Sequence, residues 1–307
     1  MRMMFQELPE YLFELKNKVV FFNGDYSPEM SDLKLQDLEI KQSRTDAINL
    51  LHFNQESQIH EMAVSVVVRS GCKAIINEIH FSIDHHSEHH SLTQILVENG
   101  AKLTHHQVIA PYQGKKNHKA HVEVFEQGQY QSVLLDMGGN DIRVEETIEL
   151  KGPHANNQID GLIRLKNQER SEHIIQVNHL APETTSQQKY KTMVDNESRA
   201  HFTGKIYIAK VAQKSDSALM NKNLLLAKKS HVLSLPQLEI FADDVKCSHG
   251  STTGQLNQEE LFYLEARGIP KQQAQEMLLS GYSSEIINKI TDADLLKILT
   301  PLSRTHL

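Results

Sequence analysis

Cys247 and His249 stand two residues apart in the run Leu-Glu-Ile-Phe-Ala-Asp-Asp-Val-Lys-Cys-Ser-His-Gly that spans 238–250. In an extended segment, residues i and i+2 project from one face, so a thiol and an imidazole would lie side by side as ligands suited to a transition metal. A closed metal site normally takes four protein ligands. The other cysteine, Cys72, is far away in sequence, at the end of a β-branched run, and reads as a strand-end or core residue. Cys247 and His249 therefore read as half of a shared or transient metal site that a second chain completes. The bland alternatives are a buried small hydrophobe for Cys247 and a solvated, titrating strand-end residue for His249. A thiol-dependent hydrolase, with Asp243 and Asp244 nearby, is a third reading. It is disfavoured by the roughly 6 to 7 Å between alternate strand residues and by the lack of an oxyanion-forming turn beyond Gly250.

Other residue types also invite chemistry. The pairs His85-His86, His89-His90 and His105-His106 suggest metal affinity. Neighbours in a strand face opposite ways, so each pair supplies one ligand per side, and we expect these histidines to be mostly solvent-facing. Phe262, Tyr263 and Arg267 are of types that anchor protein interfaces, although Phe262 alone reads as packing. There is no Gly-x-x-x-x-Gly-Lys-Ser/Thr loop of the kind that cradles nucleotide phosphates.

The elements that must position these groups change along the chain. Phe5, Leu8, Leu12, Phe13 and Leu15 have helical spacing within Met4–Lys18, giving a short helical segment over residues 1–18. From Val19 to Gln255, short apolar runs alternate with Gly, Asn, Asp and Pro, as in Met62–Val68 before Ser70-Gly71, and predict many short strands. With few helices between them, a doubly wound sheet is disfavoured. Sandwich, barrel and solenoid stay open, because no strict short repeat marks a solenoid. Residues 256–307 return to helical patterning as a small helical domain. Asn257 with Glu260 caps a first helix that ends at Gly268, Pro270 opens a second, and Thr291 with Asp294 caps a third.

Composition narrows the function classes. The 307 residues can bury a substantial core, and 32 basic against 39 acidic side chains give a net charge of -7, which argues against binding driven by nucleic-acid phosphates. Two cysteines build no disulfide framework and fit a reducing compartment. No apolar run approaches the roughly 20 residues that span a bilayer, and charges interrupt the amino terminus where a signal peptide would be apolar. A soluble, cytoplasmic protein is expected.

The stretch from Leu238 to Gly254, followed by Leu261-Phe262-Tyr263-Leu264 and Arg267-Gly268-Ile269, resembles the C-terminal signature of the SufB/SufD family, scaffold subunits of the SUF iron-sulfur cluster assembly system. Lys246–Gly250 is nearer to the SufD side of that family. His179–Pro182, Thr184–Ser186, Tyr190-Lys191, Arg199–Ile206 and Leu224–Leu226 resemble successive upstream blocks, with clear similarity from about Leu135 to Ile290. Thr192 and Asn196 stand where the family often has glycine, and Leu219 where it often has glutamine.

The resemblance implies a right-handed parallel β-helix core. It implies a noncatalytic subunit that pairs with SufB through the β-helix and docks the SufC ATPase on the C-terminal helices, through Phe262, Tyr263 and Arg267. A transient iron-sulfur cluster shared with SufB would be held by His249, with Cys247 ranked second. In isolation the chain could instead self-pair, and a metal-free homodimeric β-helix is the rival reading.

Overall fold

The computed structural model describes residues 15–55, 58–84 and 86–304, the side chains of 300–304 excepted. The helix expected over Met4–Lys18 lies outside these residues up to position 14, and Lys18 already opens a strand. The first strands are β1 (Lys18–Phe22), β2 (Asp25–Tyr26), β3 (Glu39–Ile40), β4 (Ile48–Asn54), β5 (Ile59–Val68) and β6 (Lys73–Ser82). Next come β7 (Glu88–Val97), β8 (Lys102–Ile109), β9 (Tyr112–Val124), β10 (Gln129–Asp136), β11 (Gly139–Leu150) and β12 (Asn156–Leu165). The last are β13 (Arg170–His179), β14 (Thr185–Val194), β15 (Arg199–Ile208), β16 (Asp216–Leu225), β17 (His231–Ile240) and β18 (Lys246–Gln255).

Among the described residues these strands form two sheets, one of ten strands ending on β18 and one of eight ending on β17. From β4 onward the chain crosses to the other sheet at every turn and returns to pair in parallel with the strand two before it. This is the expected parallel β-helix, flattened into two facing sheets. One turn takes 27 residues between Gln129 and Asn156 but 31 between Thr185 and Asp216, so no strict short period survives in the sequence. What repeats is direction: residues in register stack on one face, as Ile159, Gln188 and Leu219 do inside the solenoid. At two departures from the family pattern the fold is undisturbed. Asn196 turns between β14 and β15 at φ 53, a left-handed conformation that asparagine tolerates almost as glycine does, and Thr192 is buried within β14.

The two sheets differ because only one is covered. β5 alternates exposed and buried residues along nearly its whole length, as a sheet with one wet face must, whereas every residue of β4 is buried. Three helices account for the difference: α1 (Gln258–Ala266), α2 (Lys271–Ile287) and α3 (Ala293–Arg304). Ile286, Ile290, Leu295, Ile298 and Leu299 form one apolar cluster with Leu51, Phe53, Ile79, Val108, Val133, Leu135, Leu162, Met193 and Leu224 on the outer face of the ten-stranded sheet. Polar contacts tie α2 down. Lys189 and Lys191 both pair with Glu285, Lys191 Nζ donates to Tyr282 O at 2.7 Å, and Tyr282 Oη donates to Lys222 O at 2.7 Å.

The predicted caps mostly recur. Asn257 accepts from the backbone N–H groups of Glu259 and Glu260, and Pro270 opens α2. For α3 the cap is Asp292, whose Oδ1 accepts from Leu295 N at 2.7 Å, and not the expected Thr291. A carboxylate and a hydroxyl are both good caps, and adjacent candidates cannot be told apart by type.

The histidine pairs require a correction. His89, His105 and His106 are buried, while His86 is exposed and His90 half-buried. Strand alternation sends His89 and His105 into the solenoid, and the sheet's covered outer face takes His106, whose Nδ1 lies 2.8 Å from Asn77 Oδ1. His85 lies outside the described residues.

Two outcomes follow from this packing. Gly161 lies in register with Tyr190, whose fully buried ring occupies the space a Cβ would need; Gly161→Ala should lower the unfolding free energy by about 1–3 kcal/mol in urea titration. Hydrogen bonds from Lys189 and Lys191 hold Glu285 down at about 2. A pKa below that of the unfolded chain, roughly 4.3, means this contribution is complete above that pH and is lost as pH falls toward 2. Glu285 is 41% exposed, which limits the effect to within ~1 kcal/mol. Glu285→Gln should therefore be less stable than the unmodified chain at pH 7, with the difference shrinking as the titration is repeated at lower pH.

Candidate functional site

β18 is the terminal strand of its sheet and β17 the terminal strand of the other, so together they form the last rung of the solenoid. The preceding rung defines which of their residues face inward. Ser217, Leu219 and Asn221 of β16 are buried, and their register partners on β18 are Cys247, His249 and Ser251. Cys247 and His249 thus share the inner face, as the i, i+2 spacing predicts. Ser251 Oγ donates to Ser234 Oγ of β17 at 2.9 Å, which links the two strands across the interior.

No further rung covers this layer among the described residues. Cys247, Val232 and Leu238 pack against the interior core yet stay half-buried, and His249 is exposed. Along one edge of each terminal strand the backbone groups have no neighbouring strand among the described residues. Apolar side chains are exposed around the same end, including Leu233, Leu235, Ile240 and, at 59%, Phe241, whose ring lies 5.6 Å from that of Tyr207. The cause is local: the segment after Gln255 leaves the rung pattern for helix α1 and provides no strand to pair with β18.

Burial raises the Cys247 thiol pKa, and the Asp216 carboxylate raises it further. The thiolate is therefore scarcer at neutral pH than in a free cysteine, which opposes the nucleophile reading and means that any metal would have to displace the thiol proton. Cys72 is buried in the interior core, in keeping with its expected core role, and the cysteines are both free thiols.

On α1, Phe262 and Tyr263 are 70% and 57% exposed. Arg267 Nη2 donates to Tyr263 Oη at 2.6 Å, and its guanidinium lies 4.8 Å from the ring centre. These two predicted residues come together as one preformed surface feature. Phe262 has no buried packing role.

Sequence reasoning missed a second constellation inside the solenoid, where His52, Glu78, His80, His105, Lys116 and His118 are all buried. Its signal was the recurrence of inward-facing polar residues one rung apart, His52 with His80 and Glu78 with Gln107. That signal is visible only when the register is known. Iodoacetamide at pH 7 should modify Cys247 more slowly than a free peptide cysteine, and the rate should keep rising above pH 9, as followed by peptide mass spectrometry.

Among the described residues no helix is long and apolar enough to cross a membrane. A profile described as the SufBD core domain of SUF system FeS cluster assembly matches residues 51–282, and so reaches well upstream of the clear similarity noted from about Leu135. The chain is 37% identical over 159 residues to the Escherichia coli iron-sulfur cluster assembly protein SufD, which covers 52% of the chain and 38% of that protein. It is 28% identical over 217 residues to a SufBD family protein of Mycobacterium tuberculosis, 67% of the chain and 54% of the relative. It is 28% identical over 204 residues to the chloroplastic protein ABCI7 of Arabidopsis thaliana, 66% of the chain and 43% of the relative. The chain thus spans between 38% and 54% of the length of these relatives. With a solenoid of parallel rungs, and a core profile that matches most of it, the chain belongs to the SufB/SufD family of iron-sulfur cluster assembly proteins.

Proposed function

We propose that this chain is a SufD-like, noncatalytic scaffold subunit that stacks its last rung against a SufB-like chain and builds a nascent iron-sulfur cluster at the junction. The observation that carries this reading is the open end of the solenoid, where His249 is exposed on the inner face beside half-buried Cys247. A partner strand added to β17 or β18 would satisfy backbone groups that water alone now solvates. The exposed Leu233, Leu235 and Phe241 at this end would be buried in the same step. Two ligands from one chain cannot close a cluster site, so the partner would supply the others.

The cluster is cargo in this scheme. His249 would bind iron as neutral imidazole, and Cys247 would add a thiolate once metal displaces its proton. Tyr263 and Phe262 on α1, with Arg267 just past its end, would anchor a SufC-like ATPase, whose nucleotide cycle would shift the paired subunits and open the junction. The whole assembly would be cytoplasmic. In the absence of the partner, the same open edge would favour a second copy of this chain.

The test is anaerobic reconstitution of the co-expressed three-subunit complex with iron and sulfide. His249→Ala should cut cluster absorbance severalfold while the complex still elutes intact. Cys247→Ser should have the smaller effect of the two. Equal absorbance for the His249 variant and the unmodified chain would sink the assignment of His249.

A further inference from the structure

The interior constellation lies toward the other end of the solenoid, among β4 to β9. His52 and His80 are register partners on β4 and β6, and their rings stack with centroids 4.4 Å apart and planes 12° apart. Glu78 shares their inner face. Its Oε1 lies 3.3 Å from His52 Nε2 and 3.2 Å from His80 Nε2, and all three side chains are fully buried. At that separation two hydrogen bonds would be the ordinary arrangement, yet neither nitrogen is aligned to make one. Buried ring nitrogens without partners are costly, and histidine with carboxylate is the donor set that zinc and ferrous iron take.

We propose that His52 Nε2, His80 Nε2 and Glu78 Oε1 form a buried binding site for one divalent first-row transition ion of the zinc or ferrous class. Bond lengths of about 2.0–2.1 Å at a tetrahedral centre place neighbouring donor atoms about 3.3 Å apart, close to the 3.3 and 3.2 Å from Glu78 Oε1 to the two nitrogens; the rings, stacked with planes 12° apart, would turn to aim both in-plane lone pairs at one ion. The surroundings are those that orient ligands. His52 Nδ1 is 3.1 Å from Met62 Sδ, a contact that leaves Nε2 as the free donor once Nδ1 carries the proton. Thr93 Oγ1 donates to Glu78 Oε1 at 2.8 Å, and His105 Nε2 lies 3.0 Å from Glu78 Oε2, its own Nδ1 3.0 Å from Tyr130 Oη. Such outer contacts fix the carboxylate and the ring tautomers around a metal. Phe21 stacks on His52 at 5.1 Å and separates the site from the near end of the solenoid, so the ion would be captured during folding and released slowly.

Burial favours the neutral imidazoles that ligation needs and lowers the pKa of both His52 and His80. The nearby Lys116, 3.1 Å from His89 Nδ1 and 2.6 Å from Ser91 Oγ, is brought down to about 7 by burial.

The test uses the full chain and cobalt as probe. The protein is unfolded with chelator, refolded with Co2+, dialysed against EDTA and examined for bound metal and visible d–d absorption. About one equivalent should resist EDTA in the native state and leave on unfolding, with the spectrum of a four-coordinate ion. Ions held at the more accessible His121, Glu123 and Glu149 would be stripped by EDTA, and His121→Asn should change nothing that remains. Glu78→Gln, which keeps the shape of the side chain, should weaken binding by more than roughly tenfold, the loss typical of outer partners alone. Should that variant fail to fold, the unmodified chain still decides the matter. No retained cobalt after refolding, or retention unchanged in a folded Glu78→Gln chain, overturns the site. His249→Ala should retain the ion fully, so this result and that of cluster assembly fail independently.

Discussion

A parallel solenoid can satisfy each rung only with the next one, and the structure is organised around that constraint. Backbone hydrogen bonds and interior packing pass from rung to rung, and every intermediate rung is covered on both sides. The two ends then differ in a way that matters. At the first end, antiparallel β2 pairs with β1, and Val19, Phe21, Leu38 and Ile40 are buried. At the last end nothing comparable is present among the described residues, and the inner face of β18 is left open. Burying those strands and their apolar neighbours would be favourable.

The helices after β18 could have been that cover, and they are placed elsewhere. α2 and α3 bury their apolar residues on the outer face of the ten-stranded sheet, which stiffens the solenoid along its side and leaves its end free. The Lys191, Tyr282 and Glu285 contacts hold α2 at one height along the stack. α1, which follows β18 in the chain, keeps Phe262 and Tyr263 exposed, with Arg267 exposed just past its end. The open end and the exposed side chains of α1 thus lie on either side of one packed layer.

Much of this was legible from residue types. The i, i+2 spacing of Cys247 and His249 placed them on one face, and Asn257 and Pro270 marked helix starts where they occur. Solenoid architecture was not legible from periodicity, because turns of 27 and 31 residues preserve direction and register without preserving identity. The histidines were misplaced for a related reason. Alternation says that His89 and His90 face opposite ways, but which face is interior depends on the strand two positions away in sequence order, and residue type favours the wrong answer for a polar ring.

The polar interior also bears on how the fold selects its own register. A one-residue slip of β6 against β4 would move Glu78 and His80 to the outer face, among Leu51, Phe53 and Val108, and would bring Ile79 into the polar stripe. A carboxylate buried among hydrocarbon side chains without Thr93 and His105 beside it carries a penalty of several kcal/mol, whereas an apolar interior would tolerate the slip more easily. Burial alone would raise the pKa of Glu78, yet His118 and the hydrogen-bonded His105 act against it, and the group is held well below its ordinary value. Those side chains come from strands in both sheets, so correct pairing of several rungs is needed before the charge is accommodated. The buried polar stripe therefore makes the first rungs depend on one another, while the inner face of the last rung is only half-covered.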